Sequence, residues 1–364
     1  MMSRIPTINK VIVEKGADKY TFGSGILERT GVLPVNRSHP EDVQRSNIAD
    51  MDKETLRLVP FKGELMKPCP GTKEYICCGY QILNVGTNCP MDCSYCILQT
   101  YFNQPSLRVF TNLEDELSDI FKFIDSQSEK YFRIGTGEFT DSLALDPITQ
   151  WSQLLPPYFT KRKNVILELK TKTDNIEGLL KNPSRDRIVV SWSLNSPTVS
   201  SKEEKGAISI EKRLKAAMKC QKEGYAVGFH FDPLIHLKDW KQGYRETIEL
   251  MERYIDPKGV IWISMGCLRY MPGLKPIIQK RHPETHILDG EFINGLDGKK
   301  RYFKPVRIEM YSYLSELLQK WNNDLGLYLC MESNEIWQES LGWSPIDSDG
   351  LSAFLDTRVD KIFK

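Results

Sequence analysis

The sequence predicts an α/β protein in which short strands alternate with helices. Short β-prone runs recur at 79–85, 131–134, 164–169, 187–193, 225–231 and 259–264. Helix-like stretches lie between them. Such alternation implies a parallel sheet with helices packed outside it. Six units suffice for a partial (β/α) barrel of the TIM type, and an open doubly wound sheet would show the same pattern. The chain has 364 residues, enough for about two domains of ~150 residues or one large α/β unit with additions.

The elements follow in chain order. Residues 1–75 are mixed and polar, and the Pro68-Cys69-Pro70-Gly71 cluster is a turn signal. They read as an N-terminal extension with short elements. Residues 76–270 carry the strand–helix units. Thr111-Asn112-Leu113-Glu114 has the form of a capping box, and Leu113, Leu117, Ile120, Phe121 and Ile124 then share one helical face. Ile210, Leu214, Ala217, Met218 and Gln221 form a second such face, which Gly224 closes as a C′ glycine. Residues 271–364 form a C-terminal hairpin and helix region. Asp289-Gly290 and Asp297-Gly298 are turn signals there, and 308–321 reads as a helix with Tyr311, Leu314, Leu318 and Trp321 on one face.

Composition narrows the function classes. With 49 Lys and Arg against 48 Asp and Glu, no global charge draws the chain to nucleic acid or an anionic membrane. No run of ~18 apolar residues exists, so a transmembrane helix is not expected. The opening MMSRIPTINK lacks the apolar run of a signal peptide. A cytoplasmic protein is expected. Nine cysteines, an odd number, then favour metal, cluster or reactive-thiol use over disulfides.

The strongest chemical signal is Cys89-Pro90-Met91-Asp92-Cys93-Ser94-Tyr95-Cys96, directly after the first strand-like run. Three thiolates spaced C-x3-C-x2-C on a loop can take three corners of a cubane iron–sulfur cluster, leaving the fourth iron open. Offsets of four and seven also fit one face of a helix, but Pro90 and the Gly86-Thr87-Asn88 run before it favour a loop. Zinc is the other reading, with Cys77 or Cys78 as a fourth ligand.

This motif, after the first strand of a β/α series, resembles that of the radical S-adenosylmethionine (SAM) superfamily. More narrowly, 89–100 followed by 105–114 resembles the spore photoproduct lyase family, and the likeness extends over roughly 75–320 through Lys172, Ser193-Leu194-Asn195 and Gly224-Tyr225. The resemblance implies a partial (β/α)6 barrel of the radical SAM type. It implies a 4Fe-4S cluster on Cys89, Cys93 and Cys96, with SAM on the open iron. The family's chemistry is reductive cleavage of SAM to a 5′-deoxyadenosyl radical that takes a hydrogen from substrate.

Further residues follow from the same resemblance. Gly135-Thr136-Gly137-Glu138 resembles the superfamily element that receives the SAM ammonium, and Thr140 continues that loop. A carboxylate facing an ammonium and glycines allowing close backbone approach make physical sense. Lys172, Ser193 and Asn195 fall where the carboxylate and ribose would be held. His230 and Asp232 end the fifth strand, on the active face of a barrel, and His230 also fits a satisfied interior histidine. After the sixth strand, Arg269 is a candidate for an anionic substrate group and Cys267 for hydrogen donation. Tyr95 is the tyrosine retained beside the cluster cysteines.

Two features depart from the lyase pattern. The lyase returns a hydrogen from a cysteine on the loop after strand two. That position falls at Glu138, and no cysteine lies on the loop. Ile97 stands where the lyase has a tyrosine after the last cluster cysteine. The 275–307 segment has eight Lys and Arg against four acids. An ordinary solvated hairpin with lysines protecting its edges is one reading of it, and a DNA partner is the other. Lys300, Arg301 and Tyr302 are its candidate contacts, stacking and charge together. An electron donor of flavodoxin or ferredoxin type is implied, and no membrane. The alternatives are an enzyme of the same family acting on a small molecule, peptide or RNA base, and a zinc-binding interaction module.

Overall fold

The computed structural model describes residues 7–31, 33–38 and 51–363. Seven parallel strands curl into an open half-barrel. They are β1 (Gln81–Leu83), β2 (Phe132–Gly135), β3 (Val165–Thr171), β4 (Ile188–Ser193), β5 (Ala226–Leu234), β6 (Val260–Cys267) and β7 (Leu327–Leu329). The sheet order follows the chain order, and Met66–Pro68 adds an antiparallel edge beside β1. Six of these strands match the six runs seen in the sequence. The seventh is too short to show there, yet it pairs with β6 from Ile263 to Met265. An isolated bridge between Ile76 and Glu332 ties the segment before β1 to the segment after β7.

Helices cover the outside of the sheet. They are α1 (Leu113–Asp125), α2 (Ile210–Lys222), α3 (Trp240–Tyr254), α4 (Lys304–Trp321) and α5 (Ser348–Ile362). The expected face of α1 is buried at Leu113, Leu117, Phe121 and Ile124. Its capping box is absent. Asn112 is the N-cap, and its side chain instead exchanges two hydrogen bonds with the backbone of Phe61. In α2, Ser209 caps the start and Gly224 follows the C-cap with φ 89°. The buried face of α2 carries Arg213 and Cys220, while Met218 and Gln221 are only half-buried. Four residues earlier than expected, α4 begins at Lys304 with Pro305 in its first turn, where a missing N–H costs nothing.

A second sheet lies N-terminal to the barrel. Val35–Ser38, Lys10–Glu14, Thr55–Val59, Leu107–Phe110 and Gly86–Thr87 form it in that order. Alternate residues Val11, Val13, Leu56, Leu58, Leu107 and Val109 are buried in one core with α1. The chain therefore leaves the barrel at β1, enters this second sheet at Gly86–Thr87, and releases the cysteine loop from there. The loop is anchored at both sheets before the first cysteine.

The C-terminal hairpin pairs Phe292–Asn294 with Lys300–Tyr302 through the Asp297-Gly298 turn. Gly298 has φ 75°, as that turn requires. Arg269–Tyr270 adds a third strand. No described helix is long and apolar enough to cross a membrane.

Candidate active site

Residues 88–97 form a loop, and the next helix starts only at Leu98. Its backbone is held by groups other than the cysteines. Asp92–Cys93 pairs antiparallel with Glu204–Lys205. Gln99 Nε2 donates to the carbonyls of Cys93, Ser94 and Cys96, and Lys53 Nζ donates to that of Cys89 at 2.7 Å. Arg281 donates to Gln99 and to Asp92. Buried Asn88, at φ 67°, donates to the carbonyls of Gln104 and Ser106. Turning so many carbonyls away leaves the three thiols free to face one way.

They face a cavity of about 360 Å³ at the C-terminal ends of the barrel strands. Cys89, Cys93 and Cys96 all line it, together with Tyr95, Gly137, Glu138, Thr140, Lys172, Ser193, His230, Asp232 and Arg269. Burial pushes the Cys89 thiol up to about 12 and raises that of Cys93 as well. Thiolates there call for a cationic partner. Among the described residues, no three His, Cys, Asp or Glu side chains form a group that could hold a single metal ion. A cubane makes a different demand, since each thiolate takes its own iron corner. Three thiols on one loop, an adjoining cavity and a Thr140 hydroxyl that is buried there without a partner among the described residues fit a cluster with a bound organic ligand.

The loop after β2 is shaped for close approach. A Cβ on Gly137 would lie 2.8 Å from Lys170 Cβ, and one on Gly135 would collide with the Tyr80 hydroxyl. Gly135 thus clears space for Tyr80 and does not itself line the cavity. Glu138 reaches the cavity and pairs with Lys170 at 2.5 Å. Burial disfavours the charged lysine, but Glu138 outweighs it and raises the Lys170 pKa. Asp141 organises the loop. It accepts from the backbone N–H groups of Leu143, Ala144 and Lys172 and from the Thr171 hydroxyl. Lys172 Nζ lies 5.9 Å from the centre of the Tyr95 ring.

Several expected residues serve the frame. The Tyr95 hydroxyl donates to Glu204, a buried carboxylate also held by Arg213 at 2.5 Å. Asn195 is outside the cavity wall, donating to the Pro233 carbonyl and accepting from the Tyr244 hydroxyl. Cys267 also lies outside it, because its sulfur turns toward α4 and sits 3.9 Å from Met310 Sδ. Arg269 is in the wall but is committed to Asp232 through two hydrogen bonds of 2.9 and 3.2 Å. His230 is a satisfied interior histidine, bonded to Ser264 and Glu168.

The hairpin is corrected most. Arg301 is buried, bonded to Asp297 and the Met331 carbonyl, and stacked on Tyr75. Tyr302 is buried too, stacked on Phe292 and accepting from the His236 backbone. Neither is on the outer surface, so the expected run of charge and stacking reduces to Lys300 and half-exposed Phe303.

Glu168, Lys170, Cys69, Tyr80, Tyr328 and Cys330 line the cavity without having been singled out as site residues from the sequence, and Cys78, weighed there only as a fourth zinc ligand, lines it too. Alternation along β3 carried a signal. Glu168 and Lys170 are two apart in β3 and Lys172, just past its end, continues the spacing, so all three fall on the cavity side. Glu168 accepts from Ser191, His230 and the Trp262 indole. Burial alone would raise its pKa, but the His230 charge and these bonds lower it from 4.5 to about 2. A depressed carboxylate contributes stability above its unfolded pKa and loses it as pH falls. Glu168→Gln should therefore flatten the loss of stability between pH 4.5 and about 2, read as the urea midpoint against pH. An unchanged slope would contradict this.

A curled parallel half-barrel with a three-cysteine loop at the C-terminal ends of its strands defines a protein of the radical SAM type. The family model described as spore photoproduct lyase matches residues 75–326. The chain belongs to the spore photoproduct lyase family. A spore photoproduct lyase from Bacillus subtilis (strain 168) is 26% identical over 231 residues, covering 63% of this chain and 66% of that protein. The match thus spans just under two thirds of that relative's length. One from Clostridium acetobutylicum is 24% identical over 333 residues, 88% of this chain and 95% of the relative. The solved structure of spore photoproduct lyase complexed with dinucleoside spore photoproduct superposes with a TM-score of 0.79 at 22% identity, covering 90% of this chain and 100% of that one. A mutant with bound AdoMet and the same dinucleoside gives 0.78 at 22% identity, covering 91% and 100%.

Proposed function

We propose that the chain is a radical SAM enzyme whose Cys89, Cys93 and Cys96 hold a 4Fe-4S cluster and whose adjoining cavity takes SAM. The single observation that supports this reading is that all three motif thiols line the cavity that Glu138, Thr140, Lys172 and Ser193 also line. When bound, the pair supplies one-electron cleavage of SAM and hydrogen abstraction from a substrate.

The chain's own residues would bind, orient and shield. Lys172 offers a cation to the SAM carboxylate. Glu138 offers a carboxylate to the ammonium, which it would share with Lys170. Buried Thr140 Oγ1 offers a hydroxyl that nothing described satisfies. Tyr101, Phe102 and Phe139 pack on one another beside the cysteine loop and keep water from that side. The test is anaerobic reconstitution with iron and sulfide, then reductant and SAM. Formation of 5′-deoxyadenosine supports the reading; a zinc protein without visible iron–sulfur absorption refutes it.

The first substrate proposed is a dinucleoside lesion, because solved relatives carry dinucleoside spore photoproduct. The second is a small molecule, peptide or RNA base, favoured by the cysteine-free loop at Glu138 and the inward Arg301 and Tyr302. The electron donor proposed is of flavodoxin or ferredoxin type. If DNA binds at the hairpin, Lys300→Glu should weaken binding and lower the log–log salt slope by about 1. Equal affinity and slope in fluorescence titrations would remove the nucleic-acid case.

A further inference from the structure

We propose that Cys330 is the hydrogen-atom donor of this cavity. The inference rests on the radical SAM reading above. A carbon radical returns to a closed shell by taking a hydrogen atom, and a thiol is the side-chain group best suited to give one. The residues facing the cavity decide which thiol that is.

Three of the nine cysteines belong to the motif loop. Cys220 and Cys267 are buried outside the cavity. Cys77 is turned to the backbone of Thr72, with N–H and carbonyl contacts of 3.5 and 3.6 Å. Cys69, Cys78 and Cys330 remain in the wall. Of these, Cys330 is held at both ends. Its backbone N–H donates to the Met265 carbonyl at 2.9 Å, extending the β6–β7 ladder by one residue. Its sulfur accepts from Arg269 Nη2 at 3.3 Å, and Asp232 fixes that guanidinium through two bonds. A donor held in position at the strand ends suits hydrogen transfer, which is steeply sensitive to distance and angle. Thr140 Oγ1 is a second observation pointing to an occupant of the same space: it is buried, lines the cavity and lacks a partner among the described residues. Burial also keeps the Cys330 thiol protonated, the form that carries the hydrogen.

The step balances as follows. The Cys330 S–H bond breaks homolytically and a C–H bond forms on the radical. Cys330 is left as a thiyl radical. One electron from the low-potential reductant that serves the cluster, and one proton from water, restore the thiol.

The test uses reconstituted holoenzyme with dithionite and SAM in D2O, without added substrate. Thiol hydrogens exchange with solvent, so 5′-deoxyadenosine formed in uncoupled turnover should carry deuterium at C5′. The readout is the deuterated fraction of the 5′-deoxyadenosine that forms. It should fall several-fold in Cys330→Ala and in Cys330→Ser, and stay high in Cys69→Ala, Cys78→Ala and the outside control Cys220→Ala. An unchanged fraction in both Cys330 variants, or a fall in Cys69→Ala or Cys78→Ala in its place, overturns the proposal. No 5′-deoxyadenosine from the wild type overturns the radical SAM reading itself. A readout without turnover is mass mapping of the apoprotein after treatment with a small organomercurial, which displaces the thiol proton as it bonds to sulfur. Cys330, in the cavity wall, should carry mercury and Cys267, buried outside it, should not; equal labelling contradicts the assignment.

Discussion

Cys93→Ala protein, reconstituted anaerobically with iron and sulfide, should hold no 4Fe-4S cluster and form no 5′-deoxyadenosine. The effect is a loss of function, because two thiolates cannot replace three as corners of a cubane. Cys93 is the most sharply diagnostic of the three, being the one buried cysteine of the motif. The loop around it is held by its backbone pairing with Glu204 and by Gln99, neither of which uses the thiol. The variant should therefore fold, losing on the order of 1 kcal/mol of packing. Cys220→Ala is the control, since Cys220 is buried in α2 away from the loop. Iron content and visible absorption measure the outcome. A full cluster in Cys93→Ala, or its loss in Cys220→Ala, would contradict the ligand assignment.

Arg213→Ala should destabilise the fold by about 3–5 kcal/mol, because it strands a charge in the interior. Arg213 is fully buried and donates to the carbonyls of Ile208 and Ser193, to Ser200 and to Glu204. Burial alone would raise the Glu204 pKa, but Arg213 and Lys172 outweigh it and lower it. Without the guanidinium, Glu204 must take up a proton or remain unpaired. The damage reaches the site, since Glu204 holds the Tyr95 hydroxyl and its backbone pairs with Cys93. Urea denaturation measures the loss. A midpoint within error of the wild type would show that the pair is not the support described here.

Much of this arrangement was legible in the sequence, and the reasons are physical. The six strands showed because each is a short apolar run punctuated by turn residues, as at 187–193 and 225–231. The cysteine loop showed because metal-ligand spacing is local. What failed to show depends on contacts distant in sequence. Arg213 stands in the sequence among the lysines and other polar residues of α2 with nothing to mark it, and its partner Glu204 is supplied by the fold. Arg301 and Tyr302 looked like an exposed basic–aromatic pair, yet Asp297, Tyr75 and Phe292 draw them inward. Cys267 sits on the right strand, but its side chain points to the outer, helix-covered side, toward Met310. Cys330 follows β7, a strand of three residues that no periodicity marks. By contrast, Glu168 and Lys170 could have been found from their spacing along β3, in step with Lys172 just past its end.

The central claim is that the three-thiol loop and the adjoining cavity bind a cluster and SAM together. The most direct measurement is the EPR spectrum of reduced, reconstituted protein with and without SAM. A SAM that chelates the open iron must alter the signal of the reduced 4Fe-4S cluster, and the account predicts that shift. A reconstituted cluster whose spectrum is identical with and without saturating SAM would contradict it.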